Sequence, residues 1–186
     1  MQIIELEIPD IKLIRPRRFL DDRGFFEQCY HRREYVEAGI ESVFVQDNWS
    51  RSSTGVLRGL HYQLKHPQAK LVSVIRGEVF DVAVDIRRGS PTFGRWVGEI
   101  LSGENGVQLY VPEGFAHGFV VLSDVVDFQY KCSDFYTPSD EYAVRWDDPF
   151  IGIDWALNRE PVMAEKDTVA PLLCDIPIEN LPEFLG

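Results

Sequence analysis

Gly55-Val56-Leu57-Arg58-Gly59-Leu60-His61-Tyr62-Gln63 is the stretch on which the reading of this chain turns. Val56, Leu57, Leu60 and Tyr62 supply the apolar, β-favouring bulk of a short strand, and the two glycines permit close approach of another backbone or a ligand. Arg58 and His61 interrupt that run three residues apart. In a regular strand, residues an odd number apart point to opposite faces, so this pair should diverge. A bend at Gly59 would instead turn both toward one cavity. The plainer alternative is a strand with one ion-paired arginine and one hydrogen-bonded core histidine.

Outward from this stretch, short strand signals dominate. They fall at residues 11–16, 43–48, 56–63, 70–76, 79–86, 96–101, 107–111, 116–122, 125–132 and 142–146. Gly77-Glu78 and Ser123-Asp124 read as two-residue hairpin-like breaks, and residues 102–106 as a polar turn. Asp21-Asp22-Arg23-Gly24 forms a turn into an aromatic strand, and Arg32 to Ala38 is the best helix, ended by Gly39. Many evenly spaced short strands imply an all-β antiparallel sandwich or jelly roll with a few short helices. No repeat or linker divides the chain, so one domain over residues 1–186 is expected. From about residue 156 the pattern weakens into a proline-punctuated tail, with a helical turn near 179–181.

Composition narrows the function. The 186 residues are 45% hydrophobic and 26% charged, which suits one globular core. The formal net charge of −11 opposes a nucleic-acid surface, which needs a basic footprint. A few arginines in a cleft can still bind an anionic small ligand. Without a membrane-length apolar run or a charged, apolar leader, the expected location is the cytoplasm, away from the membrane. Cys29, Cys132 and Cys174 are too few and scattered for a disulfide framework or a zinc site, and read as small buried apolar residues.

The second informative stretch is Gly106, then Pro112-Glu113-Gly114-Phe115-Ala116-His117. Its spacing resembles the second motif of the cupin jelly rolls, whose histidine points into the barrel. Metal-binding cupins also carry two histidines one residue apart, but here His61 is followed by Tyr62-Gln63. Two histidines without a carboxylate at that spacing make a poor transition-metal site, so neither metal nor redox cofactor is expected. His61 then suits proton transfer, because its ordinary pKa lies near neutrality. Tyr130 is a candidate acid, and Lys70, opening an apolar strand, a candidate oxyanion stabiliser. Their plainer readings are a core tyrosine and a strand-edge gatekeeper.

Taken together, residues 21–26, 45–48, 55–63, 68–72, 77–87, 112–119 and 130–138 resemble the dTDP-4-dehydrorhamnose 3,5-epimerase family. The resemblance implies a cupin-like jelly-roll homodimer with exchanged N-terminal strands, and a dTDP-sugar substrate. It implies His61 as general base, Asp167 as its dyad partner, Tyr130 as acid and Lys70 beside the C4 oxygen. Arg23, Gln46, Asp47, Asn48, Arg58, His117 and Glu141 would bind the nucleotide sugar, with Tyr136 stacked on thymine. Where the family places a glutamate after the turn glycine this chain has Gln28, with Glu27 beside it. The implied activity is inversion of a 4-keto-6-deoxyhexose at C3 and C5. The alternatives are an enzyme inverting one centre, a silent sugar-nucleotide-binding jelly roll, and a metal-dependent cupin dioxygenase.

Overall fold

The computed structural model describes residues 1–185. In chain order its strands are β1 (Gln2–Glu5), β2 (Lys12–Arg15), β3 (Arg18–Asp21) and β4 (Gly24–Glu27). After helix α1 (Arg32–Glu37) come β5 (Gln46–Ser53), β6 (Leu57–Gln63), β7 (Lys70–Arg76), β8 (Glu78–Asp85) and β9 (Trp96–Ser102). Then follow β10 (Gln108–Val111), β11 (Phe115–Val121), β12 (Val125–Cys132), β13 (Glu141–Ala143) and helix α2 (Glu165–Thr168). The strands pair antiparallel within two large sheets, ordered β1-β2-β10-β7-β12-β5 and β13-β6-β11-β8-β9, with β3-β4 a separate hairpin. The fold is a cupin-like antiparallel jelly roll.

Strand alternation explains how both faces of the five-stranded sheet are buried. Along β8, Val79 and Ala83 point into the core between the sheets, whereas Val82 and Val84 join a second cluster on the outer face. That outer face is covered by the C-terminal segment through Trp155, Leu173, Ile176 and Leu181. A strand buried on both faces reads as a nearly continuous apolar run, as residues 79–84 and 115–121 do. Each large apolar side chain so buried contributes about 1.5–3 kcal/mol relative to exposure. Fully buried Phe128 is one of them, stacked on Phe119 with ring centroids 4.1 Å apart.

Several local expectations are corrected. The breaks at Gly77 and Ser123-Asp124 are not hairpins: β7 and β8 lie in different sheets, as do β11 and β12. They are corners at which the chain crosses from one sheet to the other. The strand expected at 43–48 lies at Gln46–Ser53, because its ladder partner β12 runs from Cys132 back to Val125. Its alternation is polar, so no apolar run marked its second half. The strand expected at 142–146 is the shorter Glu141–Ala143. Cys132 is buried as expected, but Cys29 and Cys174 are exposed. Cys29 follows the projecting hairpin, and beside Cys174 it is Leu173 and Ile176 that fill the core. Lys70 is no edge gatekeeper, since β7 is flanked by β10 and β12.

The decisive local event is in β6. His61 pairs with His117 and Arg58 with Phe119, with a register shift between them. Three steps along β6 therefore oppose two along β11, and the extra residue of this bulge resets the strand's phase. Arg58 and His61 thereby share a face despite their odd spacing. The backbones nearly touch here: a Cβ on Gly59 would lie 2.5 Å from Gly118 Cα and 2.8 Å from the His117 carbonyl oxygen. Gly59 also has φ +125°, a conformation L side chains rarely adopt.

Replacing Gly59 by alanine is expected to cost about 2–4 kcal/mol, combining backbone strain with overpacking. The melting temperature should fall by roughly 4–16 °C. Gly89→Ala is the control: it has φ +82° but nothing within 4 Å of an added Cβ. It should cost clearly less, and equal losses would remove the close crossing as the cause.

Candidate active site

Between the two sheets lies a cavity of about 440 Å³. It is lined from β6 by Arg58, His61 and Gln63, from β11 by His117 and Phe119, and from β12 by Phe128 and Tyr130. Both halves of the decisive stretch thus face one space, which favours the bent reading over the plainer one. His61 stands on the five-stranded sheet and Tyr130 on the six-stranded sheet, so they approach the cavity from opposite walls.

His61 Nε2 lies 2.7 Å from Asp167 Oδ1. The carboxylate is buried, while the imidazole keeps partial access to the cavity. Asp167 sits on the short helix α2, within the C-terminal segment that crosses the outer face. A bridge at Val56–Val162 pins that segment beside β6, with the Leu57 amide donating to the Val162 carbonyl and the Val162 amide to the Gly55 carbonyl. With a proton on Nε2 shared toward Asp167, the other ring nitrogen is left as the basic site.

His117 makes a second such pair, with Nε2 at 2.9 and 3.1 Å from the two oxygens of Asp81. Asp81 is wholly buried, and burial pushes its carboxyl above the ordinary range, opposed by the neighbouring His117 and Lys70. Sequence reasoning missed it. The available signal was an acidic residue at an inward position of an otherwise apolar strand, since buried charge requires a partner.

Lys70 opens β7 and lines the cavity beside Cys132 and Tyr130. Burial lowers the pKa of its ammonium, although Cys132, Asp81 and Glu141 pull the other way. Burial also raises the Tyr130 phenol, so this residue remains a proton donor through the neutral range. Phe128 packs between these groups, with centroids 6.4 Å from His117 and 6.0 Å from Tyr130. An aromatic wall of this kind excludes water and strengthens the remaining electrostatics.

At the mouth, Arg58 is fixed by two 3.1 Å bonds to Ser52 Oγ, leaving part of its guanidinium free for an anion. Gln46, Asn48, Tyr136 and Glu141 also line the cavity. The Tyr136 hydroxyl donates to Glu141 at 3.3 Å, and Glu141 is also ion-paired with Lys166. Lys166 is a second residue that sequence reasoning missed; nothing in its spacing distinguishes it from a surface lysine.

Three expected binding residues are not brought to the cavity of this chain. Arg23 is exposed at the β3–β4 turn and paired with Asp21. Gln28 is exposed just beyond that hairpin, and Glu27 pairs with Arg18 at 2.7 Å. Asp47 points outward from β5, bonded to Lys131 at 2.8 Å. The hairpin stands apart from both large sheets, and adjacent residues on β5 must alternate sides, so Asp47 cannot follow Gln46 and Asn48 inward.

Known proteins resemble this chain along nearly its whole length. A family model described as dTDP-4-dehydrorhamnose 3,5-epimerase matches residues 5–175. The dTDP-4-dehydrorhamnose 3,5-epimerase of Pseudomonas aeruginosa is 55% identical over 176 residues, covering 94% of this chain and 97% of that protein. The Legionella pneumophila dTDP-6-deoxy-D-glucose-3,5-epimerase, solved with dTDP-4-keto-L-rhamnose, superposes with a TM-score of 0.98 at 53% identity, covering 100% and 99% of the two chains. A 3'-monoepimerase from Streptomyces bikiniensis, solved with dTDP-quinovose, has a TM-score of 0.90 at 34% identity, covering 96% and 92%. The shared fold and the extent of these matches establish that the chain belongs to the dTDP-4-dehydrorhamnose 3,5-epimerase family.

Proposed function

We propose that this chain converts dTDP-4-dehydro-6-deoxy-D-glucose into dTDP-4-dehydro-L-rhamnose by inverting C3 and then C5 through enolate intermediates. One observation carries the reading: a carboxylate-backed imidazole and a phenol stand on opposite walls of one cavity that also holds a lysine. Family membership, with relatives bearing that name, supports it.

The chemistry follows from the acidity of a C–H bond next to a ketone. In this reading His61 removes the proton from one face of the ring, and the bond's electron pair moves into the enolate. Lys70 lies near the oxygen where that charge collects and interacts most strongly with the transition state. Tyr130 returns a proton to carbon from the other face, which inverts the centre. Asp167 holds the imidazole in one tautomer and stabilises its protonated form. A proton is removed and a proton is returned, so the reaction calls for no redox cofactor.

Arg58 takes the diphosphate, as a planar fork suited to bidentate contact. Gln46, Asn48, His117 and Glu141 orient the sugar nucleotide, and Tyr136 stacks on thymine. Arg23, Gln28 and Asp47 belong to a homodimer in which N-terminal strands are exchanged and a second copy completes the site. Supporting this, the hairpin leaves Phe19, Leu20, Phe25 and Phe26 exposed in a single chain. Patches of this kind commonly mark an interface. Among the described residues no helix is long and apolar enough to cross a membrane. The cytoplasm, where nucleotide sugars are made, is the proposed compartment.

The reading is tested by NMR of the dTDP-4-keto sugar in deuterated water. Exchange and inversion should both occur at C3 and at C5; exchange at C3 alone would leave a single-centre epimerase. His61→Ala should lower exchange at both centres by about 10²–10⁴-fold, the usual worth of a general base. It should leave dTDP affinity unchanged, and retained exchange would remove His61 from the role.

Tyr130→Phe should separate the two half-reactions. Washout of the C3 proton should persist while inversion falls by at least about 100-fold. Equal loss of both would argue against a donor role on the far face.

The alkaline limb of kcat should be set by Lys70. Its pKa is depressed by burial, so its charge is lost as pH rises through a value below that of an ordinary lysine. A kcat that falls only where exposed lysines titrate would contradict this. Lys70→Met should lower kcat and remove that limb.

A further inference from the structure

Gln63 occupies the place where a metal-binding cupin would carry its second histidine, and the proposed mechanism gives it no task. Its buried amide is fully engaged. Nε2 donates to the His66 carbonyl at 2.6 Å and the Phe135 carbonyl at 3.2 Å, while Oε1 accepts from the Thr137 amide at 2.8 Å. Gln68 Nε2 donates to the Asp134 carbonyl at 2.8 Å, and Gln46 Oε1 accepts from the Tyr136 amide at 2.9 Å. Successive backbone groups of residues 134–137 are therefore held by side-chain amides from one strand of each large sheet and from a loop. No regular ladder supports this segment, yet it carries Tyr136 at the cavity mouth.

We propose that Gln63 and Gln68 are positioning residues which clamp the 134–137 loop so that Tyr136 is preset as the platform for the nucleotide base. The inference rests on the reading that Tyr136 stacks on thymine. An irregular loop left free would have to be ordered when the nucleotide binds, and that ordering entropy would weaken affinity. Amides suit the task because each supplies donors and an acceptor without charge. Neither residue acts on the ring carbons, so the clamp governs binding and not proton transfer. The position that serves a metal in other cupins here serves the base.

The test is a thermodynamic cycle with dTDP as probe, read by titration calorimetry, alongside KM and kcat for the dTDP-4-keto sugar. Gln63→Leu should raise the dTDP Kd and the KM about tenfold, with kcat within about twofold, as expected for loss of buried amide hydrogen bonds. In a Tyr136→Ala background Gln63→Leu should weaken dTDP no further. A fall in kcat at unchanged KM, or losses that multiply across the cycle, would overturn the clamp. A Tyr136→Ala variant that binds dTDP normally would instead defeat the stacking reading, and the clamp's purpose with it. Should Gln63→Leu fail to fold, half-exposed Gln68→Leu serves in its place. Its KM should rise about threefold with the melting temperature held, for loss of a single hydrogen bond, and an unchanged KM overturns the proposal.

Discussion

Two backbones that nearly touch, at Gly59 on β6 and Gly118 on β11, set the geometry from which the site follows. Neither position has room for a side chain, and the bulge between them inserts one residue into β6. A strand's side chains alternate strictly, so a one-residue insertion is the smallest change able to bring Arg58 and His61 to the same side. An anion-binding fork and a basic ring then flank the same cavity.

Once the side chains converge, their surroundings adjust their chemistry. The cavity has an aromatic wall of Phe119 and Phe128, and each of its histidines is backed by a buried aspartate. Each carboxylate holds its imidazole's orientation through Nε2. Desolvation acts oppositely on two further groups: it lowers the Lys70 ammonium and raises the Tyr130 phenol. The raised phenol keeps its proton through the neutral range, whereas the lysine's charge is opposed by its burial and supported by Asp81 and Glu141.

The C-terminal segment does two jobs. Its apolar residues seal the outer face of the five-stranded sheet, and α2 brings Asp167 behind His61 and Lys166 to Glu141. A stretch with little regular secondary structure is thus part of the core and part of the site. Its course is decided by contacts with β6 and β8, and hardly at all by its own periodicity.

How much of this was legible in advance depends on the range of the forces involved. The all-β class was readable because alternation and turn chemistry are local. His61, Lys70 and Tyr130 were readable because polar groups inside apolar strands require a purpose or a partner. Asp81 and Lys166 were missed, and Cys29 and Cys174 misjudged, since burial at a single position depends on what packs there. The supposed hairpins at Gly77 and Ser123-Asp124 became corners because no local signal says which sheet the next strand joins. The sequence by itself determined most of the strands, the bend point and the chemical types at the site. Only the tertiary structure decided that Arg58 and His61 share a face and that Asp167 lies 2.7 Å from a histidine 106 residues away. It also left Arg23, Gln28 and Asp47 outside the cavity of the single chain. Pairing across that separation depends on how the sheets stack and where the chain returns, which no window of neighbouring residues contains.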